Sequence, residues 1–144
     1  MRRGGAFIEC IIGSTRTKTV GAKNRKQSKL KGDKTMRIDF SEISETVLSK
    51  FKGGEKEMLA RMYLDGENRI LLGRLAPGAS IGTHVHDTSC EIIYILRGIG
   101  KAMCDGSPET LAPGICHYCP KGHSHSLVND GAEELMFFAA VPQQ

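Results

Sequence analysis

Residues 78–98 read Gly78-Ala-Ser-Ile-Gly-Thr-His84-Val-His86-Asp-Thr-Ser-Cys-Glu91-Ile-Ile-Tyr-Ile-Leu-Arg-Gly98. A second stretch, residues 114–129, reads Gly114-Ile-Cys-His-Tyr-Cys-Pro120-Lys-Gly122-His-Ser-His125-Ser-Leu-Val-Asn129. Both stretches alternate glycine and proline turns with short runs of strand-forming residues, and both carry histidines. Together they indicate β-strands that meet at one chemical centre.

The histidines of the first stretch are spaced for a shared ligand. In an extended strand, side chains two apart point to one face, so His84 and His86 can offer two imidazoles to the same ion. Glu91 lies five residues after His86, an odd step that would place it on the opposite face. The residues between them, Asp87-Thr88-Ser89, have turn chemistry. A turn or bulge there would reset the alternation of side-chain directions and bring the Glu91 carboxylate to the same face as the two histidines.

The second stretch supplies a third imidazole. His125 follows Pro120-Lys-Gly122, a turn that could fold a second hairpin against the first. Three imidazoles and one carboxylate suit one divalent Mn, Fe, Ni, Cu or Zn ion per subunit, and the lack of thiolate argues against a closed structural zinc site. Four protein ligands leave two positions free on an octahedral ion. The sequence therefore predicts a metal site at His84, His86, Glu91 and His125.

These two stretches resemble the paired motifs of the cupins. The first motif is a glycine, then His-x-His, glutamate and glycine at fixed spacing; the second is a glycine, then Pro-x-Gly, histidine and asparagine. All ten specified positions are filled: Gly78, His84, His86, Glu91, Gly98, Gly114, Pro120, Gly122, His125 and Asn129. The resemblance implies an all-β fold, a single antiparallel, jelly-roll-like barrel with a metal in one mouth. It also implies a homodimer, but it implies no particular reaction.

The chain from Met36 onward reads as short strands separated by turns. Nine are predicted, over residues 56–64, 68–75, 81–86, 90–96, 98–104, 109–112, 114–119, 124–128 and 134–141. Asp65-Gly66 and Asp105-Gly106 are hairpin signals. The strands at 81–86 and 90–96 are expected to form a hairpin that carries the first motif. A chain of 144 residues suits one such domain, assigned to residues 36–144.

Charge is divided unevenly along the chain. Residues 1–35 hold ten Lys or Arg against Glu9 and Asp33, whereas residues 36–144 hold ten basic and fourteen acidic residues. The domain itself therefore carries no nucleic-acid footprint. No apolar run is long enough for a membrane span. Five cysteines, an odd number, and no convincing secretory signal favour a cytoplasmic protein with reduced thiols.

The basic segment 1–35 is expected to be disordered, and it has three interpretations. It could be an arm for nucleic acid or an anionic surface, or a targeting peptide. It could also be untranslated, because Leu30 to Met36 can be back-translated to a GGAG sequence shortly before an ATG codon. We favour Met36 as the true start. Peptides from residues 1–35 in the protein made from its own gene would contradict this.

One strand bears on assembly. If Glu91 points inward, Ile93 and Ile95 do too, and Ile92, Tyr94 and Leu96 form an apolar stripe on the other face. Residues 135–140 are likewise apolar on both faces of their predicted strand. Either an N-terminal strand within residues 37–48 covers this stripe, or a second subunit does. We favour a dimer.

Neighbouring polar residues have weaker claims to a role. His123 is two residues before His125 and is at most a candidate for an indirect role, such as proton transfer, because a place on the barrel rim is commoner. His117 matches no ligand position and is interpreted as an ordinary strand histidine. Cys116 and Cys119 are three apart and should face opposite ways on a strand, so they are predicted to be separate thiols and no zinc site.

The predicted site favours a metal-dependent enzyme that acts on a small organic molecule in the barrel. Dioxygenase-type oxidation is the first choice. Lyase, decarboxylase or sugar-phosphate isomerase activity is the alternative, although only Lys101, Lys121 and Arg97 lie near the motifs to bind a phosphate. A non-catalytic metal or ligand-binding module is the hypothesis from another class. The residues do not indicate a substrate.

Overall fold

The computed structural model describes residues 37–144 and shows an all-β domain in which every strand pairing is antiparallel. Its ten strands are β1 (Thr46–Ser49), β2 (Glu57–Leu64), β3 (Asn68–Leu75), β4 (Ser80–Val85), β5 (Glu91–Arg97), β6 (Gly100–Cys104), β7 (Ser107–Leu111), β8 (Cys116–Cys119), β9 (Ser124–Val128) and β10 (Leu135–Pro142). Two short 3-10 turns, Phe40–Glu42 and Phe51–Gly53, flank β1. None of the helical turns in this part of the chain is long or apolar enough to cross a membrane.

The strands form two sheets that enclose the core. The larger sheet has the order β1-β2-β3-β10-β5-β8, and the smaller has the order β4-β9-β6-β7. The nine strands predicted from the sequence are all present, and each strand end lies within two residues of its predicted position. β1 is the tenth and overlaps the segment 37–48. Residues 1–36, including the predicted basic extension, lie outside the described residues.

The two Asp-Gly signals join hairpins as predicted. Asp65 links β2 to β3, and its Oδ1 accepts hydrogen bonds from the backbone N–H groups of Glu67 and Asn68. Asp105 and Gly106 link β6 to β7 with positive φ angles of 46° and 82°. Positive φ at both central residues matches the right-handed twist of paired strands.

The predicted motif hairpins are wrong. β4 and β5 lie in different sheets, as do β8 and β9. The turn at residues 87–89 therefore does not reverse the chain within a sheet, but carries it across the barrel. Glu91 faces the histidines because it projects inward from the opposite sheet, and no reset of alternation within one hairpin is needed.

Apolar core and metal-ligand candidates occupy successive inward positions. On β5, Glu91 is followed by Ile93 at the next inward position, and on β9, His125 is followed by Leu127. Ile93 is fully buried and Leu127 is 1% exposed. The candidate site therefore lies at one end of the apolar core. Most of that core is formed by Met58, Ala60, Leu71, Leu75, Ala79, Ile81, Ile93, Ile95, Ala102, Leu111, Leu127, Leu135, Phe137 and Ala139.

A bulge in β4 places its histidine inward. Ile81 pairs with Leu127 and His84 with His125, so the register shifts by one residue between the two pairs. Ile81 and His84 are three apart, yet the extra residue lets both face the interior. Gly82 is required at the bulge, because a Cβ atom there would lie 2.1 Å from the backbone oxygen of Lys52.

The outer face of the larger sheet is apolar. Ile92, Tyr94 and Leu96 are 37%, 42% and 45% exposed, as the alternation predicts. The N-terminal part of the described chain does not cover them. β1 lies at the far edge of the sheet, beside β2, and the Phe40 ring packs edge-on against Phe138 at 6.4 Å between centroids. Of the two alternatives for this stripe, coverage of Ile92, Tyr94 and Leu96 by residues 37–48 is therefore wrong.

Candidate metal centre

Four predicted ligands come together at one mouth of the barrel. His84 lies on β4, His86 directly follows it, His125 lies opposite His84 on β9, and Glu91 begins β5 in the other sheet. His86, Glu91 and His125 are buried, and His84 is partly buried. Their ligand atoms all lie within 4.8 Å of one another. Three imidazoles from one sheet thus face one carboxylate from the other.

The atoms that converge are the three Nε2 nitrogens and one carboxylate oxygen. His125 Nε2 lies 3.0 Å from His86 Nε2, 3.2 Å from His84 Nε2 and 2.9 Å from Glu91 Oε2. Glu91 Oε2 is 3.1 Å from His86 Nε2 and 3.8 Å from His84 Nε2. Each side chain therefore offers its terminal atom to the same small volume.

The opposite ring nitrogens of the three histidines are engaged by the protein. His84 Nδ1 lies 2.9 Å from the Gly82 carbonyl oxygen and His86 Nδ1 lies 3.0 Å from Ser89 Oγ. A carbonyl only accepts, so His84 carries its proton on Nδ1 and, when neutral, presents a lone pair on Nε2. Such partners fix the tautomer and the ring orientation of metal-ligating histidines.

This donor set fits a divalent metal ion. Lone pairs and a carboxylate oxygen that point at each other repel unless a cation lies between them. Nitrogen and oxygen ligands about 2.1 Å from an ion, at right angles to each other, are separated by about 3 Å, close to the separations found here. The cluster of His84, His86, Glu91 and His125 could therefore hold one metal ion.

Burial and the neighbouring side chains favour the protonation states that a metal needs. Burial raises the pKa of Glu91, but its close contacts with the imidazoles of His125, His84 and His86 outweigh this and hold the pKa well below its usual range. The pKa of His125 is lowered, chiefly because burial disfavours the imidazolium, although Glu91 opposes this. An ionised carboxylate and a neutral imidazole are the ligating forms.

His123 and the two cysteines of β8 lie apart from the cluster. The His123 side chain is 49% exposed, and its Nδ1 pairs with Asp105. Its ring therefore occupies the rim, the commoner of the two places considered for it. Cys116 is exposed and Cys119 buried, so they face opposite ways as predicted. Burial raises the pKa of the Cys119 thiol to about 12.

His117 lies on β8 and outside the cluster of candidate ligands, as the sequence analysis expected. It is 1% exposed, and its Nε2 lies 2.9 Å from His125 Nδ1, a contact that the sequence analysis missed. Alternation could have shown that His117 shares a face with buried Cys119, but only the pairing of β8 with β5, which sets His117 beside Ile93, reveals its neighbours.

Arg69 was also missed. It lies on β3, two residues before buried Leu71, and so belongs to the inner face of the sheet. It pairs with Val141, which follows the Ala140–Ile92 pair, so Arg69, Val141 and Glu91 stand at one level of the sheet. Within residues 37–144, Arg69 Nε is the buried side-chain nitrogen for which no hydrogen-bond partner is found.

The comparisons with known proteins agree with this architecture. The family model described as a cupin domain matches residues 71–141. A protein of Thermotoga maritima named oxalate-binding protein is 31% identical over 112 residues, which cover 74% of this chain and 93% of that protein. A crystal structure described as a predicted oxalate decarboxylase, also from Thermotoga maritima, is 30% identical, covers 76% of this chain and 100% of its own, and has a TM-score of 0.71.

A more distant structure shares the fold alone. The polyketide cyclase RemF from Streptomyces resistomycificus is 21% identical, covers 75% of this chain and 79% of its own, and has a TM-score of 0.63. The motif positions, the barrel and the related sequences lead to one conclusion. The chain belongs to the cupin superfamily.

Proposed function

We propose that the protein holds one divalent transition metal at His84, His86, Glu91 and His125, and that it binds oxalate or a dicarboxylate of similar size at that ion. The observation that carries the proposal is the convergence of three Nε2 atoms and Glu91 Oε2. When bound, the ion supplies a Lewis acid with positions left for a chelating ligand. Mn, Fe, Ni, Cu and Zn all suit this donor set.

Charge supports an anionic ligand. A divalent ion with three neutral imidazoles and one carboxylate leaves one positive charge in excess at a buried site. A small dianion that chelates through two oxygens would offset this charge and leave one negative charge for a nearby cationic side chain to balance. The name of the 31% identical relative, oxalate-binding protein, points to the same class of ligand.

Arg69 supports a carboxylate ligand in particular. Its buried Nε–H has no partner among the described residues, and an unpaired buried donor costs about 1–3 kcal/mol. A guanidinium pairs with carboxylate through a two-pronged fork. We propose that Arg69, at the level of Glu91, receives the part of the ligand that faces away from the ion.

The test is isothermal titration of the Mn(II)-loaded protein with oxalate, malonate and acetate. We expect oxalate to bind most tightly, the variant Arg69→Gln to lose at least about tenfold in affinity, and Arg97→Gln to bind like the wild type. Arg97 is the matched control because it is an exposed arginine, 61% accessible, that faces Glu133. Metal binding without any oxalate binding would reject the ligand and keep the metal site.

Decarboxylation is the second candidate, because one related structure is described as a predicted oxalate decarboxylase. Hydrogen oxalate would give carbon dioxide and formate in equal amounts. Formate release by the metal-loaded protein, absent from Glu91→Gln, would favour the enzyme over the binding module. The dioxygenase-type oxidation favoured by the sequence stays a prediction, and oxygen uptake with a bound ligand would be its measurement.

We also propose that two copies pair through the outer face of the larger sheet. Strand pairing aligns Ala140, Ile92 and Tyr118 in one row and Phe138 with Tyr94 in the next, which forms a continuous apolar strip across β10, β5 and β8. Three strands about 4.8 Å apart and about 24 Å long present roughly 350 Å², a little under half of the about 800 Å² that each partner of a standard interface contributes, so flanking residues of the sheet would have to supply the rest. A second copy would offer the same strip in return.

We further propose that the protein is located in the cytoplasm. Cys90, Cys104, Cys116 and Cys119 are free thiols. Free cysteines suit a reducing compartment.

A further inference from the structure

One of the four candidate ligands differs from the others in what lies behind it. His84 and His86 are oriented by a backbone carbonyl and a serine hydroxyl. His125 is oriented by a second imidazole, that of His117, at 2.9 Å between His125 Nδ1 and His117 Nε2. The two ring planes are within 14° of parallel and their centroids are 5.2 Å apart. This alignment lets a proton on one ring point along the lone pair of the other.

His117 is itself held by a carboxylate. Its Nδ1 lies 2.6 Å from Glu109 Oε2. The His117 side chain is fully buried, whereas the Glu109 side chain is 46% exposed. β8 brings His117 from the edge of the larger sheet, and β7 brings Glu109 from the edge of the smaller one. A continuous line of side chains thus runs from solvent through Glu109, His117 and His125 to the cluster.

The direction of each hydrogen bond in this line follows from the carboxylate. An ionised carboxylate only accepts, so the proton of His117 lies on Nδ1 and its Nε2 is an acceptor. That acceptor requires a proton on Nδ1 of His125. The Nε2 atom of His125 then presents its lone pair to the cluster, in the form that can bind a metal.

We propose that His117 and Glu109 are positioning residues that act through His125 and set the affinity of the cluster for a divalent metal. They hold the orientation and tautomer of the His125 ring, and the Glu109 charge strengthens that ring as an electron donor. The inference rests on the proposed metal site. The inference adds that the metal affinity of one of the four candidate ligands, His125, is influenced by a half-exposed residue, Glu109.

The hydrogen-bond line can be tested without metal. Long-range proton–nitrogen NMR correlations of the metal-free protein, at a pH where the histidines are neutral, report which ring nitrogen carries each proton. We expect Nδ1–H on both His117 and His125. A proton on Nε2 of His117 would overturn the proposal. This measurement does not depend on whether the protein binds metal.

The effect on metal binding is tested by competition with a chromophoric chelator for Zn(II). Loss of an outer partner of a metal-ligating histidine lowers metal affinity about 10- to 100-fold. We expect Glu109→Gln to lose about tenfold, at the lower end of that range, because Glu109 is half exposed and acts through two rings. Glu133→Gln, at another exposed carboxylate, should match the wild type.

Substitutions of His117 separate positioning from packing. His117→Leu removes the acceptor for His125, and His117→Gln keeps one in a side chain that also lacks the ring. We expect Gln to restore part of the affinity that Leu loses. Equal affinities for Glu109→Gln and Glu133→Gln would overturn the proposal, even if the buried variants fold poorly. Failure of the wild type to bind any metal would instead reject the proposed metal site.

Discussion

The two faces of β5 are built from alternate residues of one strand and differ in burial. Glu91, Ile93 and Ile95 face inward, where the carboxylate completes the candidate metal cluster and both isoleucines are fully buried. Ile92, Tyr94 and Leu96 face outward and are each more than a third exposed. The inner face is fixed by chemistry and packing within the chain. The outward side chains of β5 have no such partner in the described residues, and the proposed dimer would cover them.

The neighbouring strand offers the strongest test of this contrast. Phe137 is fully buried, with its ring against Gly73, whereas Phe138 lies on the outer face beside Phe40. We expect Phe137→Ala to lower the free energy of unfolding by about 3–5 kcal/mol, because it leaves a cavity in the core. Phe138→Ala should cost clearly less. Urea denaturation at fixed protein concentration measures both, and equal losses would contradict the division into inner and outer faces.

The candidate metal ligand on the inner face, Glu91, is expected to give the next largest effect. An ion at a hundred times its dissociation constant stabilises the folded state by about 2.7 kcal/mol. We expect this stabilisation, measured by thermal denaturation with and without metal, in the wild type and in His123→Gln. Glu91→Gln, which keeps the shape and removes the charge, should lose most of it. Full stabilisation of Glu91→Gln would place the ion elsewhere.

The outer face is tested through the oligomeric state. Tyr94→Lys should raise the dissociation constant of the proposed dimer about tenfold or more, equivalent to about 1.4 kcal/mol, because it buries a charge in an apolar contact. Met103→Lys, a partly exposed apolar residue on the smaller sheet, is the control. Analytical ultracentrifugation measures the change. A wild-type protein that is monomeric at high concentration would contradict the dimer.

The smallest effect is expected from an ion pair beside the outer face. Arg74 bridges Glu45 and Glu134 at 2.7 and 2.9 Å, and the hydrogen bond from Arg74 lowers the pKa of Glu45. A lowered folded-state pKa means that the pair stabilises the protein above the unfolded pKa, near 4.5, and that this stability is lost as the pH falls below it. Because both side chains are partly exposed, screening limits the contribution to about 0.5 kcal/mol.

Denaturation of Glu45→Gln checks the sign of this effect. The variant should be slightly less stable than the wild type at pH 7, and this gap should narrow as the pH falls below 4.5 and through the lowered pKa of Glu45 in the folded state. Glu42→Gln, at an exposed position of the preceding 3-10 turn, should show no such difference. A gap between Glu45→Gln and wild type that widens in acid would contradict the assignment.

Much of the inner face could be predicted from the sequence. The spacing of His84, His86, Glu91 and His125 identified the cluster, and alternation correctly separated the faces of β5. The Asp-Gly dipeptides located two hairpins, β2–β3 and β6–β7. These features are local, because a strand's periodicity and a turn's backbone angles are properties of consecutive residues.

The features that were missed depend on which strands meet. Periodicity cannot show that β4 and β5 belong to opposite sheets. The sequence analysis therefore invoked a turn or bulge at residues 87–89 to bring Glu91 to the histidines, which the observed topology does not require. The bulge before His84 is set by the close approach of Gly82 to Lys52. His117 contacts His125 only because β8 of the larger sheet lies against β9 of the smaller one. Such contacts join residues that the sequence does not relate.

The position of β10 governs when the molecule can be completed during synthesis. This strand lies between β3 and β5 and pairs with both, although it is the last of the ten to leave the ribosome. All four ligand residues are translated before it, yet Glu91 belongs to a strand that only β10 connects to β2 and β3. Until β10 inserts, the larger sheet therefore consists of two separate pieces with open edges, β1-β2-β3 and β5-β8, whereas all four strands of the smaller sheet have already been translated. Early loading with metal cannot replace that insertion, and folding of this topology is expected to be slow.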